Sequence, residues 1–329
     1  MGIEGSAHSL GMGLVDSDGK ILANVKDWYI PPRGMGLHPR EMSQHHSEVS
    51  GKVLREALRA GGIDAPDIGL VAFSMGPGMG PCLRTAATIA RALSSLLKIR
   101  LVGVNHILAH IEIARHVTGA SDPVVLNVSG GTTHIVVFEK GRYRVFGETL
   151  DIAIGNAFDV FARESGIHDP SKPWPGPKFD EAASRGSQYV ELPYLVKGMD
   201  LAFSGLVTQA LRYLKEGKKV EDLCYSLQET ALAMLTEVTE RAMAHTEKDT
   251  LLLTGGFATN KRLQEMLQIM TKERGGELRV VPAEFATDNG AMIAWTGILA
   301  HNAGIVTPIE KSFVKPRWRI EEVKVPWIK

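Results

Sequence analysis

Residues 124–146 read VVLNVSGGTTHIVVFEKGRYRVF. An apolar run over 124–128 meets the small-residue stretch Ser129-Gly130-Gly131-Thr132-Thr133. A second apolar run over 135–138 then reaches a turn at Lys140-Gly141 and a third run over 143–146. Alternating apolar segments broken by glycine turns are the pattern of a strand leading into a β-hairpin. The same layout stands at the start of the chain, where GIEGS (residues 2–6) leads into an alternation over 10–15, a turn at Asp18-Gly19 and a run over 21–25.

The correspondence continues outward from both hairpins. Helical periodicity over 41–60 is matched over 223–244. After each comes an apolar strand with a glycine-bearing loop: LVAFS (70–74) with GPGMG (76–80), and LLLT (251–254) with Gly255-Gly256. A helix (85–97; 260–270), a further strand (100–104; 278–281) and a last helix, near His106 and near Asn289, complete both series. The layout predicts an α/β fold of two duplicated mixed-sheet lobes around a central cleft, where ligands sit beyond strand ends and against helix N-termini. The expected division is 1–120 plus 300–329 for the first lobe and 121–299 for the second. The proline- and glycine-rich stretch near 165–200 reads as an insertion in the second lobe.

His106 and His110 stand four residues apart, on one face of the expected helix. Such a pair is either a core pair or two ligands of one transition metal. Asp288, taken alone, reads as a helix N-cap. It also follows the last strand of the second half as His106 follows that of the first, which favours a shared two-histidine, one-carboxylate site. A zinc-protease reading fails, because Ile107 occupies the place of the required general-base glutamate.

Ser129, Gly130 and Gly131 would let the backbone approach a ligand. Asn260, after Gly255-Gly256, either caps a helix or bonds a ligand. The loop at 76–80 lacks the Gly-Lys-Ser/Thr of a Walker motif, which argues against a P-loop kinase.

Together these loops resemble the ASKHA superfamily, the sugar-kinase, heat-shock chaperone and actin type of two-lobed ATPase. Within it the chain closely resembles the TsaD family and its archaeal/eukaryotic branch, the catalytic subunit of the KEOPS complex. The resemblance runs nearly end to end, through GIEGSAHSLG (2–11), YIPPRGMGLHPREMSQHH (29–46), GPGMGPCLRTA (76–86), NHILAH (105–110), NVSGGTTH (127–134), GETLDIAIGNAFDVFAR (147–163), WPGPKFDEAA (174–183), LAFSGL (201–206), TGGFATNKRL (254–263), FATDNGAMIAW (285–295) and KPRWRIEEVKVPW (315–327).

It implies transfer of a threonylcarbamoyl group from threonylcarbamoyl-adenylate to N6 of the adenosine beside the anticodon of tRNAs reading ANN codons, with release of AMP. It implies iron or zinc on His106, His110 and Asp288. Asn127, Val128, Ser129, Gly130 and Gly131 would contact the adenylate or its acyl part. Asp159, Gly176, Asp180 and Asn260 would bind adenosine and ribose. The implied partners are tRNA, a kinase-like ATPase subunit and accessory KEOPS subunits. His8, His45 and His46 also match family positions, without a derived role.

The chain departs from the family at Asn127, often a metal-binding tyrosine in archaeal relatives. It departs again at Asp180, usually glutamate, and at Pro175-Gly176-Pro177, one glycine short. The tail 315–329 resembles the family's own end, although a fused partner can follow it. The rival readings are an ASKHA small-molecule kinase, which would use Mg²⁺ and a catalytic carboxylate, and a non-enzymatic nucleotide-binding subunit.

Composition agrees with a globular protein: 44% of residues are hydrophobic and 22% charged. No stretch is long and apolar enough for a membrane helix. The N-terminus lacks a secretory pattern, and the two cysteines, Cys82 and Cys224, fit no zinc or redox spacing. A cytoplasmic location is expected. Lys+Arg and Asp+Glu both number 37, so the balance itself points to no nucleic acid, and phosphate contact is expected to come largely from partner subunits.

Overall fold

The β-branched and leucine-rich runs form two five-stranded mixed sheets in a computed structural model that describes residues 1–32, 37–169 and 175–328. In the first sheet, β1 (Gly2–Glu4), β2 (Ser9–Val15), β3 (Ile21–Trp28), β4 (Leu70–Gly76) and β5 (Arg100–Asn105) lie in the order β3-β2-β1-β4-β5. Helices α1 (Pro39–Gly61), α2 (Gly80–Leu97) and α3 (His106–Thr118) connect or follow them. β1 runs antiparallel to β2 and parallel to β4, and β4 runs parallel to β5.

The second sheet repeats this plan. β6 (Val124–Val128), β7 (Thr133–Glu139) and β8 (Arg142–Glu148) are followed, after α4 (Ile154–Glu164), α5 (Gly176–Ala183), the short pair β9 (Val196–Lys197) and β10 (Asp200–Leu201), α6 (Ser204–Lys215) and α7 (Val220–Thr246), by β11 (Thr250–Thr254). Helix α8 (Lys261–Glu273), β12 (Glu277–Val280), the short α9 (Ala283–Ala286) and α10 (Gly290–Asn302) complete the order. The sheet order is β12-β11-β6-β7-β8, the first sheet's plan strand for strand. β6 pairs antiparallel with β7 and parallel with β11, and β11 pairs parallel with β12. Residues 170–174, within the stretch read as an insertion, and residues 33–36 of the quoted 29–46 motif lie outside the described residues.

The division into compact units falls elsewhere than the sequence suggested. The first unit comprises Met1–Gly119, Glu139–Arg144 and Thr287–Lys329, and the second Ala120–Phe138 and Val145–Ala286. Helix α10, expected in the second lobe up to residue 299, belongs to the first unit, and Asp288 belongs there with it. The cause is steric. Residues 290–302, GAMIAWTGILAHN, are apolar on nearly every side, as in a helix buried all round. Glycines let its backbone meet the sheet directly. A Cβ at Gly13 would stand 2.2 Å from Ala291 N, one at Gly2 2.1 Å from Ala294 N, and one at Gly290 2.1 Å from Gly13 N. No other residue type fits such a contact without moving the helix.

Gly13→Ala is therefore expected to lower unfolding free energy by about 3 kcal/mol in a denaturant titration, the upper part of the overpacking range. Wild-type stability in this variant would contradict the contact.

Candidate metal centre and nucleoside pocket

In the first unit, β5 ends at Asn105, whose Oδ1 accepts from the backbone N–H of Ile107 at 3.0 Å and of Leu108 at 3.1 Å, starting α3. This cap fixes the first turn, where His106 and His110 lie edge to face with ring centroids 4.8 Å apart. The arrival of α10 brings Asp288 to them. Asp288 Oδ1 lies 3.2 Å from His110 Nε2 and 3.5 Å from His106 Nε2. One donor atom from each of the three residues lies within 4.8 Å of the others. The capping role that Asp288 offered in the sequence falls instead to Asn289, whose Oδ1 accepts from Met292 N at 2.9 Å. The carboxylate therefore keeps its lone pairs for the histidines.

Two residues that the sequence reading did not single out, Glu4 and Lys26, support the trio. Glu4, fully buried at the end of β1, accepts from His106 Nδ1–H at 3.0 Å. Its other oxygen accepts from Ser6 N at 2.7 Å. With Nδ1 held by Glu4, Nε2 of His106 is the ring nitrogen on the Asp288 side, the one that a metal would take in exchange for its proton. A charged residue inside the otherwise small and apolar start GIEGS was the available signal. Lys26 donates to Thr287 Oγ1 at 2.6 Å and to the Asp288 carbonyl at 3.3 Å, so it holds the loop before α10.

The electrostatics favour a cation. Burial opposes charge on His106, yet Glu4 and Asp288 outweigh it and push the imidazole up to about 9. Burial would raise the Asp288 carboxyl, but His106 and His110 hold it well below the usual carboxylate range. Two carboxylates flanking two imidazoles retain negative charge that a divalent ion would neutralise. The donor set, one carboxylate oxygen and two imidazole nitrogens with a carboxylate behind one ring, fits a transition metal.

His45 and His46 lie in a separate network: His45 Nε2 is 2.9 Å from Asp27 Oδ1, and His46 Nε2 is 2.9 Å from the Ala7 carbonyl. His8 stacks on Trp28 at 4.9 Å.

The second unit gathers the other expected residues in two places. At the end of β6, Ser129 N donates to Thr132 O at 2.7 Å, while Ser129 Oγ accepts from Gly131 N at 3.2 Å and Thr132 N at 3.0 Å. The amides of Ser129 and Gly131, expected to face a ligand, are thus used within their own turn. The space beside this turn is open: among the described residues no atom lies within 4 Å of a Cβ placed on Gly130 or Gly131.

Asn127 is buried, and neither its Oδ1 nor its Nδ2 is hydrogen-bonded among the described residues. An unpaired buried amide costs about 1–3 kcal/mol, so a ligand that pairs it recovers that cost. Val128 O lies 2.2 Å from where a Cβ on Gly255 would stand, and Gly255 has φ +91°, so the β11 loop can lie against β6 only with glycine there.

In the other place, Asn260 does both things the sequence left open. Its Oδ1 caps α8 through Leu263 N at 2.8 Å and its Nδ2 donates to Asp180 Oδ1 at 3.1 Å. Burial raises the Asp180 carboxyl despite this bond. Asp159 is raised to about 6, chiefly by burial; Arg163 and the Gly176 N–H oppose the shift and Asp180 adds to it. Asp159, Gly176, Asp180 and Asn260 therefore form one acceptor-rich pocket.

The repeated sheet plan with helices on each unit is an ASKHA-type fold. HypF of Thermococcus kodakarensis superposes with TM-score 0.66 at 15% identity, over 92% of this chain and 48% of that one. A ROK hexokinase of Thermus thermophilus superposes with TM-score 0.51 at 15% identity, over 92% and 98%. At such identities the likeness shows the fold alone.

Sequence comparison goes further. The profile for TsaD, tRNA N6-adenosine threonylcarbamoyltransferase, matches residues 20–295. The tRNA N6-adenosine threonylcarbamoyltransferase of Archaeoglobus fulgidus is 54% identical over 327 residues, 99% of each chain. A probable bifunctional tRNA threonylcarbamoyladenosine biosynthesis protein of Methanothermobacter thermautotrophicus is 51% identical over 329 residues, of which this chain spans 61%. The chain belongs to the tRNA N6-adenosine threonylcarbamoyltransferase family. It is an acyltransferase of tRNA modification.

The Asp159 carboxyl gives a pH test. Its folded value lies above the unfolded one, so between about pH 4 and 6 the folded chain holds a proton that the unfolded chain releases, and this position lowers stability as pH rises through that window. Asp159→Asn should be stabilised by about 2 kcal/mol near pH 7.5 and unchanged below about pH 4, read from paired urea titrations. An equal effect at both pH values would contradict the burial of the charge.

Proposed function

We propose that the chain carries threonylcarbamoyl from threonylcarbamoyl-adenylate to N6 of the adenosine next to the anticodon in tRNAs reading ANN codons. We further propose that it acts in the cytoplasm as the catalytic subunit of a KEOPS-type complex, with a kinase-like ATPase and accessory subunits. The observation that carries the reading is the convergence of His106, His110 and Asp288 in a chain of this family. The name of the bifunctional relative supports a linked second activity. No helix among the described residues is long and apolar enough to cross a membrane.

In this reading His106, His110 and Asp288 hold one divalent ion, iron or zinc. When bound, that ion supplies Lewis acidity toward an acyl or phosphate oxygen. Glu4 fixes the His106 tautomer, and Lys26 fixes the loop that presents Asp288.

Asp159 and Asp180 accept from ribose hydroxyls, Asn260 orients Asp180, and Gly176 leaves room beside Asp159. Asn127 offers its unpaired amide to the adenylate or its acyl part, with Val128, Ser129, Gly130 and Gly131 shaping the open turn beside it. The acyl carbon is already activated as a mixed anhydride. N6 of adenosine attacks it, the C–N bond forms, the C–O bond to phosphate breaks, N6 gives up one proton to solvent or to the departing phosphate and AMP leaves, so no protein nucleophile is required.

The test is a transfer assay with threonylcarbamoyl-adenylate and tRNA, with and without partner subunits, read as modified nucleoside by mass. Wild type is expected to modify only tRNAs with an adenosine beside the anticodon, and multiple turnovers should require the partners. His110→Ala should lose stoichiometric metal by elemental analysis and at least about 100-fold in rate. Undiminished transfer by a metal-free variant would reject the assigned role. Lys26→Met, with the trio intact, should weaken metal affinity about 10-fold in a competition titration with a chelator.

A further inference from the structure

Residues 311–319, KSFVKPRWR, contain Lys311, Lys315, Arg317 and Arg319 and no acidic residue, in a chain of zero net charge. The segment is pinned to the first unit by its backbone. Lys315 N donates to Met75 O at 2.7 Å, Gly78 N donates to Pro316 O at 3.1 Å, and Asn105 Nδ2 donates to Trp318 O at 3.1 Å. Val314 and Trp318 pack against the core, which leaves Lys315 and Arg317 exposed on a fixed backbone. Lys315 Nζ lies 4.6 Å from the centre of the Trp318 ring, so its ammonium is steered rather than loose.

Arg84 joins them from α2. A Cβ on Gly80 would lie 3.4 Å from an Arg84 guanidinium nitrogen and 3.8 Å from Pro316 Cγ. A surface hollow of about 500 Å³ is lined by Lys315, Pro316, Arg317, Trp318 and Glu322. Among the described residues, neither Arg84, Lys315 nor Arg317 forms an ion pair. Asn105, which holds Trp318, is the residue before His106 and the cap of its helix. Trp318, next to Arg317, is thus tied to the residue that caps the helix carrying His106 and His110.

We infer that Arg84, Lys315 and Arg317 form a phosphate-contact strip for the tRNA substrate beside the metal centre. This rests on the reading of the chain as a tRNA-modifying transferase and adds where the RNA backbone is gripped. Unpaired cations on a rigid frame neutralise phosphates and release counterions, which gives affinity without sequence preference. They position the anticodon stem and carry no choice of nucleoside themselves.

The experiment uses the metal-loaded chain and measures tRNA binding by fluorescence anisotropy across a salt series. Lys315→Ala/Arg317→Ala should weaken binding several-fold at low salt and flatten the slope of log affinity against log salt by about 1.5–2. The loss should be equal for tRNAs with and without the target adenosine. With the partner subunits added for turnover, KM for tRNA should rise while kcat at saturating tRNA and metal content stay at wild-type values. Arg317→Gln alone removes one exposed cation without disturbing the pinned backbone and should change the slope by about 1.

Unchanged affinity and slope in both variants would overturn the strip. So would intact RNA binding with loss of accessory-subunit binding, which would make the surface a protein-docking site. If wild type binds tRNA but modifies none, the transferase reading fails instead, and the salt series still decides the strip.

Discussion

The contact of α10 with β1 and β2, glycine against backbone, is the constraint on which the rest of the first unit depends. Gly2 and Gly13 on the strands and Gly290 on the helix bring main chains to a distance that no side chain permits. Because α10 lies so deep, the loop before it ends beside α3, and Asp288 reaches two imidazoles whose own positions are set by the Asn105 cap. A helix seated higher on larger residues would carry the carboxylate away from both rings. Packing and site geometry here are one requirement, since the residues that seal the core also place Asp288 beside the histidines.

Much of the architecture was legible in the letters. Both hairpins, the apolar strands over 70–76 and 250–254 and the long helices show their periodicity directly, and the two sheets repeat the same order because the segments do. The domain boundary was not legible. A chain segment belongs to the unit it packs on, and α10 follows β12 in sequence while packing on the first sheet. Only the pairing of glycines at 2, 13 and 290 hints at this, and spacing alone cannot match glycines so far apart. Similarly, the tip of the β7–β8 hairpin joins the first unit through tertiary contacts, among them Tyr143 O–H donating to Glu112 at 3.1 Å.

The sequence pointed to His106, His110 and Asp288, which the structure brings together, and not to the residues that support them. His106 and His110 declare themselves by helical spacing, and Asp288 by its place in the duplicated layout. Glu4 and Lys26 do not, because their roles depend on which atoms of distant residues they meet. The turn at Ser129 shows the opposite limit. Its composition promised outward amides, yet Ser129 Oγ takes two of its own loop's N–H groups, as serine does in turns. What the composition did mark is open space, and the buried Asn127 amide is the group left waiting for a partner.

Asn289 relieves Asp288 of capping, and this has a consequence for how damage at the site would be interpreted. A side chain that gives its oxygen to the first turn of a helix has little left for an ion, so two neighbouring residues divide work that either could do alone. In a survey of variants, position 289 would therefore rank with His106, His110 and Asp288, because it frees the Asp288 carboxylate from capping. Under the proposed metal role, adding excess metal would tell the two apart. Supply can compensate for a displaced carboxylate, but it cannot replace a missing one.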